Sequence, residues 1–480
     1  MTQELILEKN DIITLKIESF GAFGEGVSHV GGMAIFVPYA CPNEVVEAHV
    51  LSVKKGYAYA KLLKVIDASP NRREPNCEYF YKCGGCDLQH VKYDTQLDMK
   101  IRSVKETLKR VGGVDTKDVE IVSSIEYGCR NKLTLPFTYN GEVKLGFYSE
   151  RSHRVVAINA CPLSTWSEKV ISIFKDWANE SKLSVYDENS GKGVLRALSV
   201  RVVGDKFMFT LVVTTPKFKG LDKLSKRLKE DYPNSIFYLN VNYKKTNVVM
   251  GEECILVHGE EKLQGEAIGV KYSLSPLSFS QVNDEIRDRL YEEVLTNIDD
   301  GSTVVDAYSG AGVMSVLVSR KATHVYGIEI VKDAVKDADV TAIKNEVSDK
   351  ITNTVGDCVQ VLPPLLAKLR KEGKKNINLI LDPPRKGCDN TVLQAVLRSL
   401  PDKIVYVSCN PATLARDLKI LSSSYIVDKV KLFDMFPQTK HVETLVCLSK
   451  KTDKHNNIDV EFGEGEGQVS LKDIEQALKT

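Results

Sequence analysis

Beyond residue 300, short apolar runs alternate with stretches of helical periodicity. Residues 303–307, 324–328, 351–355, 378–381 and 403–408 read as strands, and each is followed by a helical segment. Strands alternating with helices predict a parallel sheet covered on both faces, a doubly wound α/β domain. Residues 425–433 and 443–448 are expected to be its last strands.

The first part of the chain has a different rhythm. Residues 13–17, 34–37, 45–50 and 57–65 are β-rich, separated by the turn chemistry of Gly21, Gly24, Gly26, Gly31-Gly32 and Pro42-Asn43. About five strands in so short a stretch predict a small closed or nearly closed barrel. Residues 69–76 are a Pro-rich polar linker, and a cysteine-rich segment follows. Residues 95–110 have helical periodicity, ended by Val111-Gly112-Gly113. Residues 133–139 and 143–147 alternate apolar and polar positions around Asn140-Gly141. That pattern predicts a hairpin with a type I′ turn. The chain then continues to residue 275 as an α+β middle domain.

Composition adds limits. A chain of 480 residues is too long for one ordinary core, so several domains are expected. No apolar run reaches the length of a membrane span, and the N-terminus lacks the pattern of a signal peptide. A cytoplasmic protein with no membrane partner is expected. In that setting 11 cysteines argue for metal or catalytic roles over a disulfide framework. The net charge of +1 does not point to a polyanion. Residues 54–110, however, hold 13 Lys/Arg against 7 Asp/Glu, interleaved with Tyr57, Tyr59, Tyr79, Phe80, Tyr81 and Tyr93. Such a stretch suits a phosphate backbone. On charge alone, a solvated basic surface is the simpler reading.

Three constellations carry chemistry. In the first, Asp306-Ala-Tyr-Ser-Gly-Ala-Gly312 closes a strand, Glu329 ends the next, and Asp357 ends the third. Glycines at a strand-to-helix turn and acids at successive strand ends fit a nucleoside-cofactor crevice better than an ordinary tight turn. The pattern lacks the full G-x-G-x-x-G of a dinucleotide site.

In the second, Leu381-Asp382-Pro-Pro-Arg-Lys-Gly387 and Val407-Ser408-Cys409-Asn410-Pro411 both fall at carboxyl ends of strands, the ligand edge of such a sheet. A lone cysteine is usually a buried apolar residue. Cys409 instead precedes a sharp Asn-Pro turn and a helix start, a place that lowers a thiol pKa. His441-Val-Glu443 opens the last strand and offers Glu443 as a base. The third constellation is Cys77, Cys83 and Cys86, with Cys161-Pro162 downstream and Gly84-Gly85 allowing a tight wrap. Four thiolates would hold either zinc or an iron–sulfur cluster, and Cys129 competes for the fourth place.

Over residues 8–449 these motifs resemble the RNA uracil-5 methyltransferases of the iron–sulfur ribosomal type. The resemblance implies a TRAM-like, OB-like barrel over 8–68 that binds RNA and an α+β middle domain over 69–275. It also implies a Rossmann-like methyltransferase domain over 276–450 and leaves the tail 451–480 unassigned. It implies a [4Fe–4S] cluster on Cys77, Cys83, Cys86 and Cys161, which decides iron–sulfur over zinc. It places S-adenosyl-L-methionine against Gln281, Tyr308, Glu329, Asp357 and Asp382, Gln281 belonging to the matching segment Phe279-Ser-Gln-Val-Asn283. Val313 stands where the family often has a polar residue, so that contact is not carried over. Arg130-Asn131-Lys132 and Gly193-Val-Leu-Arg196 match middle-domain segments.

The implied reaction explains the thiol. Uracil C5 is a poor nucleophile until a thiolate adds at C6, and a base must later remove the C5 proton. Cys409 takes the first role and Glu443 the second. 23S rRNA is the expected substrate and tRNA the close alternative, with no role for DNA and a monomer as the expected state. An inactive RNA-binding or assembly factor and an iron–sulfur redox sensor are competing readings, disfavoured by the complete set Asp382, Cys409 and Glu443.

Overall fold

The computed structural model describes residues 7–245 and 248–451. The tail expected from 451 onward, with its helix candidate, lies beyond Lys451 outside the described residues.

The N-terminal strands β1 (Ile12–Lys16), β2 (Ser19–Phe20), β3 (Gly26–Val30), β4 (Met33–Val37), β5 (Val45–Lys54) and β6 (Tyr57–Asp67) form one sheet, ordered β1-β5-β6-β4-β3-β2. β1 pairs with β5; just beyond it the Glu18 N–H donates to Val27 O at 2.8 Å, ahead of the β2–β3 pairing. One bent segment therefore touches both ends of the sheet and closes it into a barrel. Ile35, Val37, Val46, Ala48 and Ala58 fill its interior.

Helix α1 (Tyr93–Gly112) buries Met99, Val104 and Leu108 at helical spacing and stops at Gly113, whose φ of 68° lets its amide cap Lys109 O. Val104 and Leu108 join the core of the C-terminal sheet, and the short strand β7 (Glu120–Val122) joins that sheet itself. Residues 93–122 thus pack with the C-terminal domain, although they lie within the span expected for the middle domain.

The middle sheet comprises β8 (Lys132–Tyr139), β9 (Val143–Tyr148), β10 (Val155–Ala157), β11 (Leu195–Val203), β12 (Lys206–Val213), β13 (Ile236–Val241) and β14 (Glu253–His258). Its order is β10-β9-β8-β11-β12-β13-β14. Helices α2 (Ser167–Glu180) and α3 (Leu221–Asp231) share its core through Phe174, Trp177, Leu224 and Leu228. The β8–β9 hairpin is present, but its turn is not type I′. Tyr139 faces Val143, so three residues form the loop, and of these only Gly141 has positive φ. A type I′ turn needs positive φ at both central positions.

A hairpin, β15 (Leu263–Ala267) with β16 (Val270–Leu274), leads to α4 (Asp284–Thr296) and the doubly wound domain. There β17 (Thr303–Ala307), α5 (Val313–Val318), β18 (His324–Glu329), α6 (Lys332–Lys344), β19 (Ile351–Val355), α7 (Cys358–Lys371) and β20 (Ile377–Leu381) alternate. They are followed by α8 (Asn390–Ser399), β21 (Lys403–Ser408), α9 (Pro411–Leu421), β22 (Tyr425–Phe433) and β23 (Glu443–Lys450). The sheet order is β19-β18-β17-β20-β21-β23-β22-β7. β19 to β21 are parallel to one another, and β23 runs against β21. Strand order reverses between β17 and β20, which opens a crevice at their carboxyl ends.

Candidate active site

Strand register brings the two candidate catalytic groups together. β21 and β23 are antiparallel with Ser408 opposite Thr444, so the next residue of one strand, Cys409, comes level with Glu443 of the other. Beyond Cys409 the chain turns into α9, where Asn410 caps the helix by accepting from Ala412 N at 3.1 Å and Pro411 fills the first turn. Asn410 Nδ2 also donates to Arg385 O at 3.1 Å. That bond ties the nucleophile turn to the Asp-Pro-Pro-Arg segment after β20.

The thiol is not acidified by this place. Burial, and then the neighbouring Glu443, push Cys409 up to about 11, while Arg385 pulls it down. Removal of the thiol from water outweighs the helix terminus, which corrects the expectation of a lowered pKa. Glu443 is fully enclosed; burial and Asp382 raise it to about 8 against the pull of Arg385. A carboxyl so raised exchanges its proton near neutrality.

Gln281, Tyr308 and Asp382 line one crevice with Asp306, Gly310 and Phe279. Asp382 is raised to about 7 by burial and by Asp306. Asp306 is raised to about 7 by burial, although Ser315 Oγ donates to its carboxylate at 2.6 Å. Tyr308 has a φ of 70°, a left-handed turn for a bulky residue directly after β17. Glu329 and Asp357 stand at the neighbouring strand ends, outside that lining. Glu329 Oε2 accepts from Gly310 N at 3.0 Å, and Asp357 caps α7 by accepting from Val359 N at 2.9 Å. The glycines divide their work. At Gly310 a side chain would meet open space, whereas at Gly312 a Cβ would come within 2.7 Å of Ala338 Cβ. Gly312 therefore serves the approach of α6 rather than of a ligand.

The middle domain holds the crevice wall. The Asn131 side-chain amide donates to Gln281 O and to Asp284, and its backbone N–H donates to Val282 O at 2.9 Å. Arg201 reaches Ser275 O and Ser278 O. The motif match offers Asn131 a contact with RNA rather than a hold on the crevice wall, and it gives no role to Arg385 or Asp306. A cation one turn from Asp382 and facing a strand-end cysteine was the signal for Arg385. The Asp306 signal was a charge among the apolar residues Val304, Val305 and Ala307.

Cys77, Cys83, Cys86 and Cys161 line a second cavity of about 440 Å³ that reaches Arg385 and His441. Cys129 does not line it; its thiol is buried under the influence of Arg130, Asp434 and Ser124. Gly84 is required there, because a Cβ would sit 2.8 Å from Tyr148 O, and the Gly85 amide donates to Cys83 Sγ at 3.4 Å. Arg130 and Lys132 line the same cavity, and among the described residues no Asp or Glu does. Among the described residues, no three His, Cys, Asp or Glu side chains stand close enough to hold a single metal ion.

The basic stretch 54–110 is not one continuous surface. Phe80 is buried against Tyr39 and His90, the Tyr93 hydroxyl donates to Asp434 at 2.6 Å, and Lys100 is a buried partner of Asp434. Tyr57 and Tyr81 remain exposed.

The doubly wound sheet with its strand-end crevice, joined to an N-terminal barrel, defines a Rossmann-like α/β methyltransferase with a TRAM domain. The chain matches the tRNA (uracil-5-)-methyltransferase family over residues 226–451 and the TRAM domain over residues 7–63. It is 40% identical to an uncharacterized RNA methyltransferase of Clostridium tetani, over 95% of this chain and 100% of that one. It is 38% identical to another from Halalkalibacterium halodurans, over 94% of this chain and 99% of that one. Among solved structures it is similar to the Pyrococcus abyssi tRNA (uracil-54, C5)-methyltransferase in complex with S-adenosyl-L-homocysteine. The TM-score is 0.74 at 28% identity, covering 91% of this chain and 99% of that one. The chain belongs to the RNA uracil-5-methyltransferase family.

The buried acids make stability depend on pH. Asp306 is raised from an ordinary 3.8 to about 7, so the folded state holds its proton more tightly than the unfolded state. Its contribution is complete at the acid end and is lost as pH rises towards 7, on the order of 1 kcal/mol per pH unit. Asp306→Asn, neutral throughout, is expected to flatten the fall in Tm across that window. Thermal melts of ligand-free protein at a series of pH values check this; an unchanged slope would contradict it.

Proposed function

We propose that this protein methylates C5 of a uridine in RNA, with S-adenosylmethionine as donor, Cys409 as nucleophile and Glu443 as base. The observation that carries this reading is the β21–β23 register, which sets a thiol beside a buried carboxyl whose pKa is about 8. S-adenosylmethionine supplies an electrophilic methyl group on a sulfonium. The crevice of Gln281, Tyr308 and Asp382 is its expected seat, with Glu329 and Asp357 at the adjoining strand ends. The buried carboxyls Asp306 and Asp382 suit a cation there, because a positive charge offsets the cost of ionising them.

Cys409 gives up its proton to solvent, favoured by the Arg385 guanidinium, and its sulfur adds to uracil C6 as the C5–C6 π pair shifts towards C5. Electron density gained at C5 takes the methyl group, and the electron pair of the broken S–CH3 bond stays with the donor, which leaves as a neutral thioether. The C5 proton then passes to the Glu443 carboxylate, the C5–C6 double bond re-forms, and the C6–S bond breaks with its electron pair returning to Cys409. The target base must leave its stack for C6 to meet the sulfur.

Cys409→Ala is expected to abolish methyl transfer while leaving cofactor binding intact. Glu443→Gln should instead accumulate a protein–RNA adduct that survives denaturing electrophoresis. Methyl transfer by the alanine variant, or no adduct with the glutamine variant, would refute the assignments.

23S rRNA is the proposed substrate, and the solved archaeal relative favours tRNA as the second reading. Mapping 5-methyluridine in both RNAs from a strain lacking the protein separates them. A mark lost only from tRNA would overturn the first.

Four cysteines around one cavity, with cations and no carboxylate in its lining, fit an anionic thiolate-ligated [4Fe–4S] cluster. Such a cluster spans more space than a single ion, in keeping with thiols that surround a cavity rather than converge on a point. Gln89 Oε1 and Arg130 Nε are buried there without partners. Cys77, Cys83, Cys86 and Cys161 would hold it. Cys161→Ser should therefore lower bound iron and sulfide after anaerobic reconstitution, and Cys129→Ser should not; equal loss in both would count against Cys161.

A further inference from the structure

Residues 434–442 join β22 to β23 and deliver the chain to Glu443. This loop is held from outside itself. At its far end the buried Asp434 carboxylate pairs with Lys100 and accepts from Tyr93. At the end nearer Glu443 the anchor is the segment that follows Cys86. The amides of Asp87 and Leu88 both donate to Gln438 O at 3.0 Å. The Asp87 carboxylate accepts from Lys440 N at 3.2 Å and from Lys440 Nζ at 3.0 Å. Gln438 is fully buried with a φ of 67°, and its side chain is bound by Gln96, Arg73 and Glu126. A non-glycine residue keeps that left-handed conformation only when its surroundings over-determine it.

We propose that Asp87 is a positioning residue for Glu443. By clamping the 438–440 turn, it sets the place of the carboxylate that removes the C5 proton. The proposal rests on the reading of Glu443 as the base. Two features single out Asp87 among the loop's anchors. It grips the turn three residues before Glu443, and its ion pair with Lys440 is part-exposed, at 24% and 22%. Removing it therefore strands no buried charge, as removing Lys100 would. The nucleophile does not depend on it: Cys409 is positioned by α9 and Arg385, on separate elements. Loss of the clamp should thus slow elimination selectively, leaving thiol addition and methyl transfer in place.

The test uses the full-length protein and RNA carrying tritium at uridine C5, with a separately labelled methyl group. In single turnovers, Asp87→Ala should incorporate methyl at close to the wild-type rate. It should release tritium about tenfold more slowly, with the adduct accumulating. Its KM for RNA should stay within about twofold of wild type. Asp87→Asn, which keeps an acceptor for the Lys440 amide, should recover part of the lost rate. If methyl incorporation and tritium release fall together, Asp87 is merely structural and the proposal is overturned. Wild-type kinetics in Asp87→Ala would overturn it equally. Absence of tritium release from the wild type, with no adduct in Glu443→Gln, would overturn the reading of Glu443 itself, and the proposal with it.

Discussion

An antiparallel strand at the end of a parallel series is the constraint on which this site depends. In a wholly parallel sheet the carboxyl ends of all strands face one way, and each strand offers its last residues to the ligand edge. Because β23 runs against β21, it offers its first residue there instead, and the register brings Glu443 level with Cys409. The nucleophile is thus held by a helix cap, and the base by strand pairing together with the anchored loop that precedes it. The two can be adjusted independently, which suits a reaction whose first and last covalent steps need different partners.

Burial then assigns the chemistry. Three buried carboxyls, those of Asp306, Asp382 and Glu443, act on one another in series, Asp306 raising Asp382 and Asp382 raising Glu443, and all have raised pKa values. The same exclusion of water also raises the thiol, so the resting site is close to neutral. Arg385 is the counterweight: it lowers both Cys409 and Glu443, and its carbonyl is bound by the Asn410 cap. One side chain therefore stands against both charges that the covalent cycle needs.

The C-terminal strands were legible because apolar runs bounded by helices leave few alternatives; the limits of β17, β19, β21 and β22 agree with the sequence pattern residue for residue. Strand ends also drew attention to Cys409, Glu443 and Asp382, since a doubly wound sheet has only one ligand edge, whereas Tyr308 was named by the family resemblance. Other features depended on non-local packing. β3 carries Ser28 and His29 and reads as a turn until the barrel closes around it. The β8–β9 turn differs by one residue from its strongest local signal. The thiol pKa depended on burial, which no local motif reports. Arg130 and Lys132 became informative only once the cysteines were seen to share their cavity.

β7 is three residues long, yet it covers the Lys431–Phe433 end of the β22 edge of the catalytic sheet, and Lys431 pairs with Glu120 across the whole middle domain in sequence. The last turn of synthesis must therefore find a strand made long before, and during that interval the earlier strand waits without its partner. A catalytic domain cut at residue 276 would leave the backbone of β22 at Lys431–Phe433 without this partner, open to pairing with another copy. What looks like a modular C-terminal enzyme is, in its backbone hydrogen bonding, completed by the part of the chain that precedes it.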